Sequence, residues 1–430
     1  MNFSKTRIRK LGDEIRLQLV DFQKLDEETL SLLEEYRSSY SNTISHVFSI
    51  LRNSSRSIRV DSISTFRIKR IESIIGKLQR IPSMEFDRMW DIAGCRCILK
   101  GDKSVLRLLE VLNEKLTIKK VNNYYETKPE SGYRSIHLYV SAEGDKNTVE
   151  IQIRNRNDHN WATLVEIIDL LYGRKIKEGE NDKNLYVFHQ MMSTINELDT
   201  KDKLVLLDII HRNEIFRNLL SVFAKNYLRV RIRWLELSRR KQDHFFVIST
   251  SKDEIPEIKN FSEFVEAEAY YFDLFKSRAS SNNVMTYLPQ TNFQNLETAY
   301  SNYTLTTHEF INDYFKLIET SLVELLETRS LWSFFKLYMK YIDNYGFYTS
   351  SVKQEISYMK NYSDLDKTNQ AKLKYWIKEL RGRIKKREID VQESQKNFNL
   401  SYPGSGAYYL LFRIIMIPIE RRLNKLDSQQ

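Results

Sequence analysis

Two short segments decide how this chain folds: SIHLYV, residues 135–140, and VEIQIR, residues 149–154. In the first, Ile136, Leu138 and Val140 point one way along an extended backbone, and Ser135, His137 and Tyr139 point the other. In the second, Val149, Ile151 and Ile153 alternate with Glu150, Gln152 and Arg154. Period-two alternation predicts strands, and the intervening AEGDKN (142–147) supplies a turn between them. Paired as a hairpin, the strands put a core on one face and a carboxylate, an amide, an imidazole and a guanidinium on the other. An ordinary solvated sheet face has the same pattern, so the hairpin alone assigns no chemistry.

Working upstream, WDIAGCRCIL (90–99) predicts a strand starting near Gly94, with Asp91 just before it. Asp91 is either a strand-entry cap or, with Glu150, one of two carboxylates able to share a hard divalent cation; Mg2+ takes one or two carboxylates plus substrate phosphates. Cys95 and Cys97 are the only cysteines, which excludes a disulfide framework and a thiolate zinc site. They read as small core residues on one strand face. The segment 64–80 reads as an amphipathic helix in which Ile68, Ile71, Ile75 and Leu78 form a buried stripe. Lys69, Ser73, Lys77 and Arg80 follow on a second stripe at i, i+4, i+8 and i+11. Three cations and a hydroxyl in line could clamp a polyphosphate, although a solvated basic face is the simpler explanation of that stripe alone.

The whole chain sets the context. It has 430 residues, 41% hydrophobic, with only 12 Gly and 6 Pro, a balance that predicts two or three units, mostly helical with short connections. The net charge of +10 suits a polyanionic partner. The N-terminus lacks the apolar run of a signal peptide, and Tyr408–Ile419 is broken by Arg413 and Pro418, so no membrane segment is expected and a cytoplasmic protein is. Residues 1–60 read as two or three helices, one carrying Leu30, Leu33, Tyr36, Tyr40 and Ile44 on one face. HNWATLVEIIDLLYG (159–173) reads as a helix, and GRKIKEGEND (173–182) as a connector. HFFVIST (244–250) and VMTYLP (284–289) read as strands flanking a helix around residues 261–276. Residues beyond 305 read as helical apart from a loop at SYPGSGAYY (401–409).

RIKRIESIIGKLQR, DIAGCR, SGYRSIHL, VEIQIR and HNWATLVE, in this order, resemble the RelA/SpoT synthetase domain, over residues 64–170. The resemblance is closest to longer single-function members with a helical C-terminal extension, the CapRel-type toxin–antitoxin fusions. NFQNLETAYSNYTLTTHEFI (292–311) is similar to that extension. It implies an α+β fold: a mixed-sheet, nucleotidyltransferase-like domain at 61–200 after N-terminal helices at 1–60. A helical linker with a small α/β regulatory segment follows at 201–320, and a helical region at 321–430.

The implied activity is pyrophosphate transfer from ATP to a ribose 3′-hydroxyl with Mg2+, and the implied roles fall on matching positions. Arg67 stacks on adenine; Lys69, Ser73 and Lys77 hold the phosphates, with Arg96 beside them. Asp91 and Glu150 are the metal-binding and catalytic carboxylates. Tyr133 stacks on the acceptor base, with His137, Gln152, Arg154 and Lys128 also on the acceptor side. His159, Trp161 and Glu166 belong to a helix packed behind the site. No hydrolase-type His-Asp motif precedes the domain. One departure concerns the acceptor: the family has Pro-Lys-x-Asn or Pro-Lys-x-Ser before Gly-Tyr, and this chain has Lys128-Pro129-Glu130-Ser131. GDP or GTP and the 3′ end of tRNA are therefore both candidate acceptors, giving an alarmone synthetase or a growth-inhibiting toxin. A degenerate synthetase acting as a nucleotide or RNA sensor is the alternative from another class. The segment 240–320 is expected to fold over the site as an inhibitor, released by a protein partner such as a phage protein or antitoxin. A stabilising or oligomerising role explains the extra length equally.

Overall fold

The computed structural model describes residues 3–21, 25–127, 129–141, 146–173, 182–237, 244–251, 254–277, 282–288, 292–361, 367–401, 410–414, 416–417 and 421. Lys128, residues 174–181 of the connector and residues 402–409 of the SYPGSGAYY loop lie outside them. The chain divides into two units. Unit 1 comprises residues 1–170 and 230–304, and unit 2 residues 171–229 and 305–430.

Unit 1 is built on one mixed sheet. Its strands are β1 (Ile63–Ile68), β2 (Ala93–Leu99), β3 (Thr117–Asn123), β4 (Ile136–Ser141), β5 (Val149–Asn155), β6 (Phe245–Thr250), β7 (Glu257–Phe261) and β8 (Asn282–Tyr287). Their order is β3-β4-β5-β2-β1-β8-β6-β7. β2 and β5 run parallel and the other pairs antiparallel. The predicted hairpin is present, with Tyr139 opposite Glu150 and His137 opposite Gln152. The α+β expectation holds, as do the strands expected near 244–250 and 284–289. These two join the same sheet, and β8 pairs with β1 through Phe66 and Arg67.

Two helix expectations change. Residues 64–80 are not a single helix: β1 ends at Ile68, and a helix runs only from Ile71 to Arg80. Ile63, Thr65, Phe66 and Ile68 are buried in β1, so β-branched and aromatic residues meet the sheet's demand there. Arg67 is thus a strand residue, and Lys69 sits in the link between the two elements.

One sheet face packs on helices Ser41–Ile58, Asp102–Lys115 and Phe264–Ser277. Phe66, Ile68, Cys95, Cys97, Ile151, Ile153 and Met285 lie in this continuous core. Both cysteines are buried and free. On the opposite face, Ile63, Ile98, Ile248 and Val284 pack with Trp234, Leu296, Tyr300 and Tyr303. The helix expected to carry Leu30, Leu33, Tyr36, Tyr40 and Ile44 is broken near Tyr40 into Glu27–Ser38 and Ser41–Ile58, and these five residues are all buried. Asp26 caps the first of these, accepting from the Thr29 amide at 2.7 Å. Arg37 forms a buried ion pair with Glu268 at 2.5 Å and donates to the Lys69 carbonyl at 3.1 Å, which ties helix Phe264–Ser277 to the β1 exit.

Unit 2 is helical among the described residues, with an aromatic core. Phe216 stacks on Tyr314 at 4.3 Å, and Phe334 meets Phe398 edge-on at 5.7 Å. Among the described residues no helix is long and apolar enough to cross a membrane.

Candidate active site

The face of β1, β2, β4 and β5 that turns away from the first core carries the candidate chemistry. At one end, Asp91 receives two ammonium groups: Lys69 Nζ lies 2.8 Å from Oδ2 and Lys77 Nζ 2.9 Å from Oδ1. All three side chains are mostly buried, between 16% and 24% exposed. Burial raises the Asp91 carboxyl, but Lys69 and Lys77 outweigh it and hold the group below its ordinary value. Burial lowers the Lys69 ammonium despite Asp91. A carboxylate with two lysines is locally cationic, and those lysines can turn to phosphate oxygens once a nucleotide supplies them. Ser73 lies one turn before Lys77 on the same helix.

The hairpin holds the second group. Arg154 Nη2 donates to Tyr133 Oη at 2.6 Å, which meets His137 Nε2 at 2.6 Å. His137 Nδ1 lies 2.9 Å from Glu150 Oε1. Gln152 Nε2 donates to Glu150 Oε2 at 2.8 Å, and Arg154 Nη2 donates to Gln152 Oε1 at 3.0 Å, closing a five-residue ring. Tyr139 Oη adds a bond to Glu150 Oε1 at 3.2 Å. Burial would raise Glu150, but the His137 imidazole, Gln152 and Lys69 outweigh it and bring the carboxyl down to about 2. His137 shifts the other way: burial opposes its charge, and the bond to Glu150 overcomes that and raises it. Gly132 has φ +82°, a left-handed turn that suits a residue without Cβ and leads Tyr133 into the ring.

Arg67 and Arg96 share this face with Arg154 of the ring. Arg96 pairs across the sheet with Thr65 on β1 and Gln152 on β5. Burial, reinforced by Arg154 and Arg67, lowers the Arg96 guanidinium to about 10. Such crowding of guanidinium groups is costly without an anion. Glu166 provides part of the compensation at Arg67 and Arg96, so it belongs to the site rather than behind it. His159 is fully buried, bonded to the Thr298 carbonyl at 2.6 Å, and burial holds it well below 6.5.

Residues 298–303 lie across this arginine cluster. Arg96 Nη1 donates to the Ala299 carbonyl at 3.2 Å, Asn302 Nδ2 donates to Glu166, and Thr286 shares a hydroxyl bond with Tyr300. Tyr303 and Tyr300 both act electrostatically on Arg67.

Asp91 and Glu150 interact electrostatically, each disfavouring charge on the other. Among the described residues no group of three or more His, Cys, Asp or Glu could hold a metal ion on its own. Asp91 and Glu150 are two hard oxygen donors of the kind Mg2+ takes. Lys69 and Lys77 hold both Asp91 oxygens, however, and His137, Tyr139 and Gln152 hold those of Glu150, so an ion would displace some of these partners.

Of the residues singled out from sequence, Arg67, Lys69, Lys77, Asp91, Arg96, Tyr133, His137, Glu150, Gln152 and Arg154 come together on this face. Lys128 is outside the described residues. Sequence reasoning gave Tyr139 a place but no role, and missed Tyr124. Period-two alternation put Tyr139 on the strand face of His137, and the structure adds its bond to Glu150. Tyr124 sets its ring edge-on to Tyr133 at 5.3 Å and to His137 at 5.1 Å, and no local signal marks it.

The comparisons with known proteins place this region: residues 66–175 match the model of the region found in RelA / SpoT proteins. Most of the matched region lies in unit 1, which is thus similar to RelA / SpoT proteins over that stretch. Among particular relatives, the GTP pyrophosphokinase YjbM of Bacillus subtilis is 35% identical over 124 residues, 26% of this chain and 59% of that protein. The GTP pyrophosphokinase YwaC of Bacillus subtilis is 35% identical over 111 residues, 23% of this chain and 53% of that protein. The chain thus spans between half and three fifths of these relatives. Among solved structures, small alarmone synthetase 1 from Bacillus subtilis bound to its product pppGpp aligns with TM-score 0.34 and 25% identity. That alignment covers 38% of this chain and 91% of that one.

Proposed function

We propose that unit 1 is an ATP-dependent pyrophosphokinase that moves the β,γ-pyrophosphate of ATP onto a ribose 3′-hydroxyl. The observation that carries this reading is the closeness of the Lys69–Asp91–Lys77 trio, the arginine cluster and the Glu150 ring on one sheet face. Arg67 and Arg96 take the adenine side of ATP, and Lys69, Ser73 and Lys77 take its phosphates. The acceptor oxygen attacks the β-phosphorus, the bond between that phosphorus and the α–β bridging oxygen breaks, and AMP leaves with that oxygen. Arg67, Arg96, Lys69 and Lys77 offset the charge that develops there. Mg2+, held by Asp91 and Glu150, would supply further charge neutralisation between the phosphates. A carboxyl with its pKa brought down to about 2 is a weak base, so Glu150 acts by accepting the hydroxyl's hydrogen bond and fixing its direction. The proton leaves to water late in the transfer.

The acceptor is a guanine nucleotide, GDP or GTP, in the first reading, which the names of the two Bacillus subtilis relatives support. Tyr133 supplies the stacking surface for its base, with His137, Gln152, Arg154 and Lys128 around the acceptor. The exchanged Lys128-Pro129-Glu130 order favours a second reading, the 3′ end of tRNA, because Glu130 adds negative charge on the acceptor side. The contacts of residues 298–303 with Arg67 and Arg96, the residues assigned here to the adenine half of ATP, support autoinhibition. In that reading the chain is a cytoplasmic CapRel-type toxin, held off until a phage protein or other partner draws the segment away. The test is product analysis with ATP and each acceptor. In the Tyr303→Ala protein, AMP formed in equal amount to modified acceptor, and lost when Glu150→Gln is added, supports the reading; ADP, or activity unchanged by Glu150→Gln, overturns it.

A further inference from the structure

The chain's positive charge is not spread evenly. Helix Lys367–Ser401 of unit 2 carries ten basic residues against four acidic ones, a net +6 of the chain's +10. From Lys367 to Arg387 the balance is nine basic residues to one acidic, Glu379. These cations divide by side. Arg383 and Arg387 turn inward, Arg383 over the Tyr227 ring at 5.8 Å and bonded to Glu379 at 2.6 Å. Arg387 lies over Phe315 at 4.2 Å and faces Glu319 at 3.7 Å. The same side buries Leu373, Trp376, Leu380, Val391 and Phe398.

The outward side is different. Lys374, Lys378, Arg381 and Lys385 are all exposed, and none pairs with a carboxylate among the described residues. At 3.6 residues per turn they fall within an arc of about 60°, turned away from the buried side, and at ~1.5 Å per residue they extend over ~16 Å. Lys372 and Lys386, elsewhere on the helix, are also exposed.

We propose that this row is a docking surface for the phosphate backbone of double-helical RNA. A duplex presents roughly one charge per 1.7 Å of axis, so a ~16 Å row faces on the order of ten phosphates. A straight row of flexible ammonium groups reads backbone charge without base contacts. An anionic membrane fits poorly, because a surface-bound helix needs a free apolar side and this one has committed its apolar side to the unit 2 core. RNA is chosen over DNA because it carries the ribose hydroxyl on which the proposed chemistry of unit 1 acts, and that choice rests on the pyrophosphokinase reading.

The test uses the full chain without ATP, so a failed transferase activity does not touch it. Purified tRNA binding is measured by fluorescence anisotropy across a salt series, for wild type and for the K374A/K378A/R381A/K385A variant. Alanine is the best helix former, so the helix persists, and circular dichroism checks it. Four phosphate contacts at about 0.9 each predict a log–log salt slope shallower by about 3–4 in the variant, with tenfold or greater weakening at low salt. K374R/K378R/K385R should retain wild-type binding. An unchanged slope in the alanine variant overturns the proposal. So does wild-type binding to polyglutamate or phosphatidylserine vesicles as tight as to tRNA.

Discussion

Asp91→Asn is the substitution whose consequences the structure defines most fully. It removes the charge that Lys69 and Lys77 share at 2.8 and 2.9 Å, and leaves two mostly buried ammonium groups facing an amide. A hydrogen bond to a charged group contributes about 1.5–3 kcal/mol. Partial access to water reduces two such bonds to a combined loss of about 2–4 kcal/mol. Lys77→Met alone should cost about 1–2 kcal/mol, since Lys69 keeps Asp91 paired. In Asp91→Asn/Lys77→Met the repulsion between ammonium groups is gone, so the double variant should be more stable than additivity predicts by about 1–2 kcal/mol. The readout is hydrogen exchange across helix Ile71–Arg80 and β2, because local opening remains defined in a chain of two units. The sign with pH follows from the depressed carboxyl: this stabilisation is present above about 3.8, the ordinary value, and is lost as pH falls through the lower folded value. Coupling within about 0.3 kcal/mol of zero would refute the shared-charge account.

The ring predicts opposite titrations for its two ionic members. The contribution of His137 is complete below 6.5 and lost as pH rises through its raised folded value; that of Glu150 is complete above 4.5 and lost as pH falls toward about 2. The NMR midpoint of His137 should therefore lie above 6.5, and Glu150→Gln should lower it; an unmoved midpoint contradicts the pairing. Tyr303→Ala should strengthen binding of a non-hydrolysable ATP analogue severalfold by calorimetry, and equal or weaker binding argues against occlusion by residues 298–303. Glu268→Gln should destabilise unit 1 by about 3–5 kcal/mol by stranding buried Arg37, whereas Arg37→Met/Glu268→Leu should be near neutral; equal losses in the two would refute a stranded charge.

The hairpin was legible because period two survives in β4 and β5, and it brought His137, Glu150, Gln152 and Arg154 to one face before any coordinates. Cys95 and Cys97 were legible for the same reason. The β1 strand was not. Ile68, Ile71, Ile75 and Leu78 happen to continue a helical spacing back through the strand end, so a three-dimensional boundary at Lys69 left no mark in the apolar pattern. Lys69 and Lys77 nevertheless converge, on Asp91 rather than along one helix face. β6 and β8 were visible as strands, but their attachment to β1 depends on pairing between segments some 220 residues apart, as in the bond from Thr286 to the Phe66 carbonyl. β7, EIKNF, is too short and polar to register. The placement of Ala299, Tyr300, Asn302 and Tyr303 over the arginines is likewise tertiary. That placement also bears on experiment: removing residues 240–430 would bare the β1 edge, so point substitutions test inhibition more cleanly.

The most direct test follows the two terminal phosphates of ATP. With ATP labelled at the β-phosphorus and, separately, at the γ-phosphorus, the Tyr303→Ala protein should pass both labels in equal amount to GDP, GTP or tRNA. Label at the α-phosphorus should appear only in AMP. Transfer of the γ label alone, or of no label to any of the three acceptors, would contradict pyrophosphate transfer.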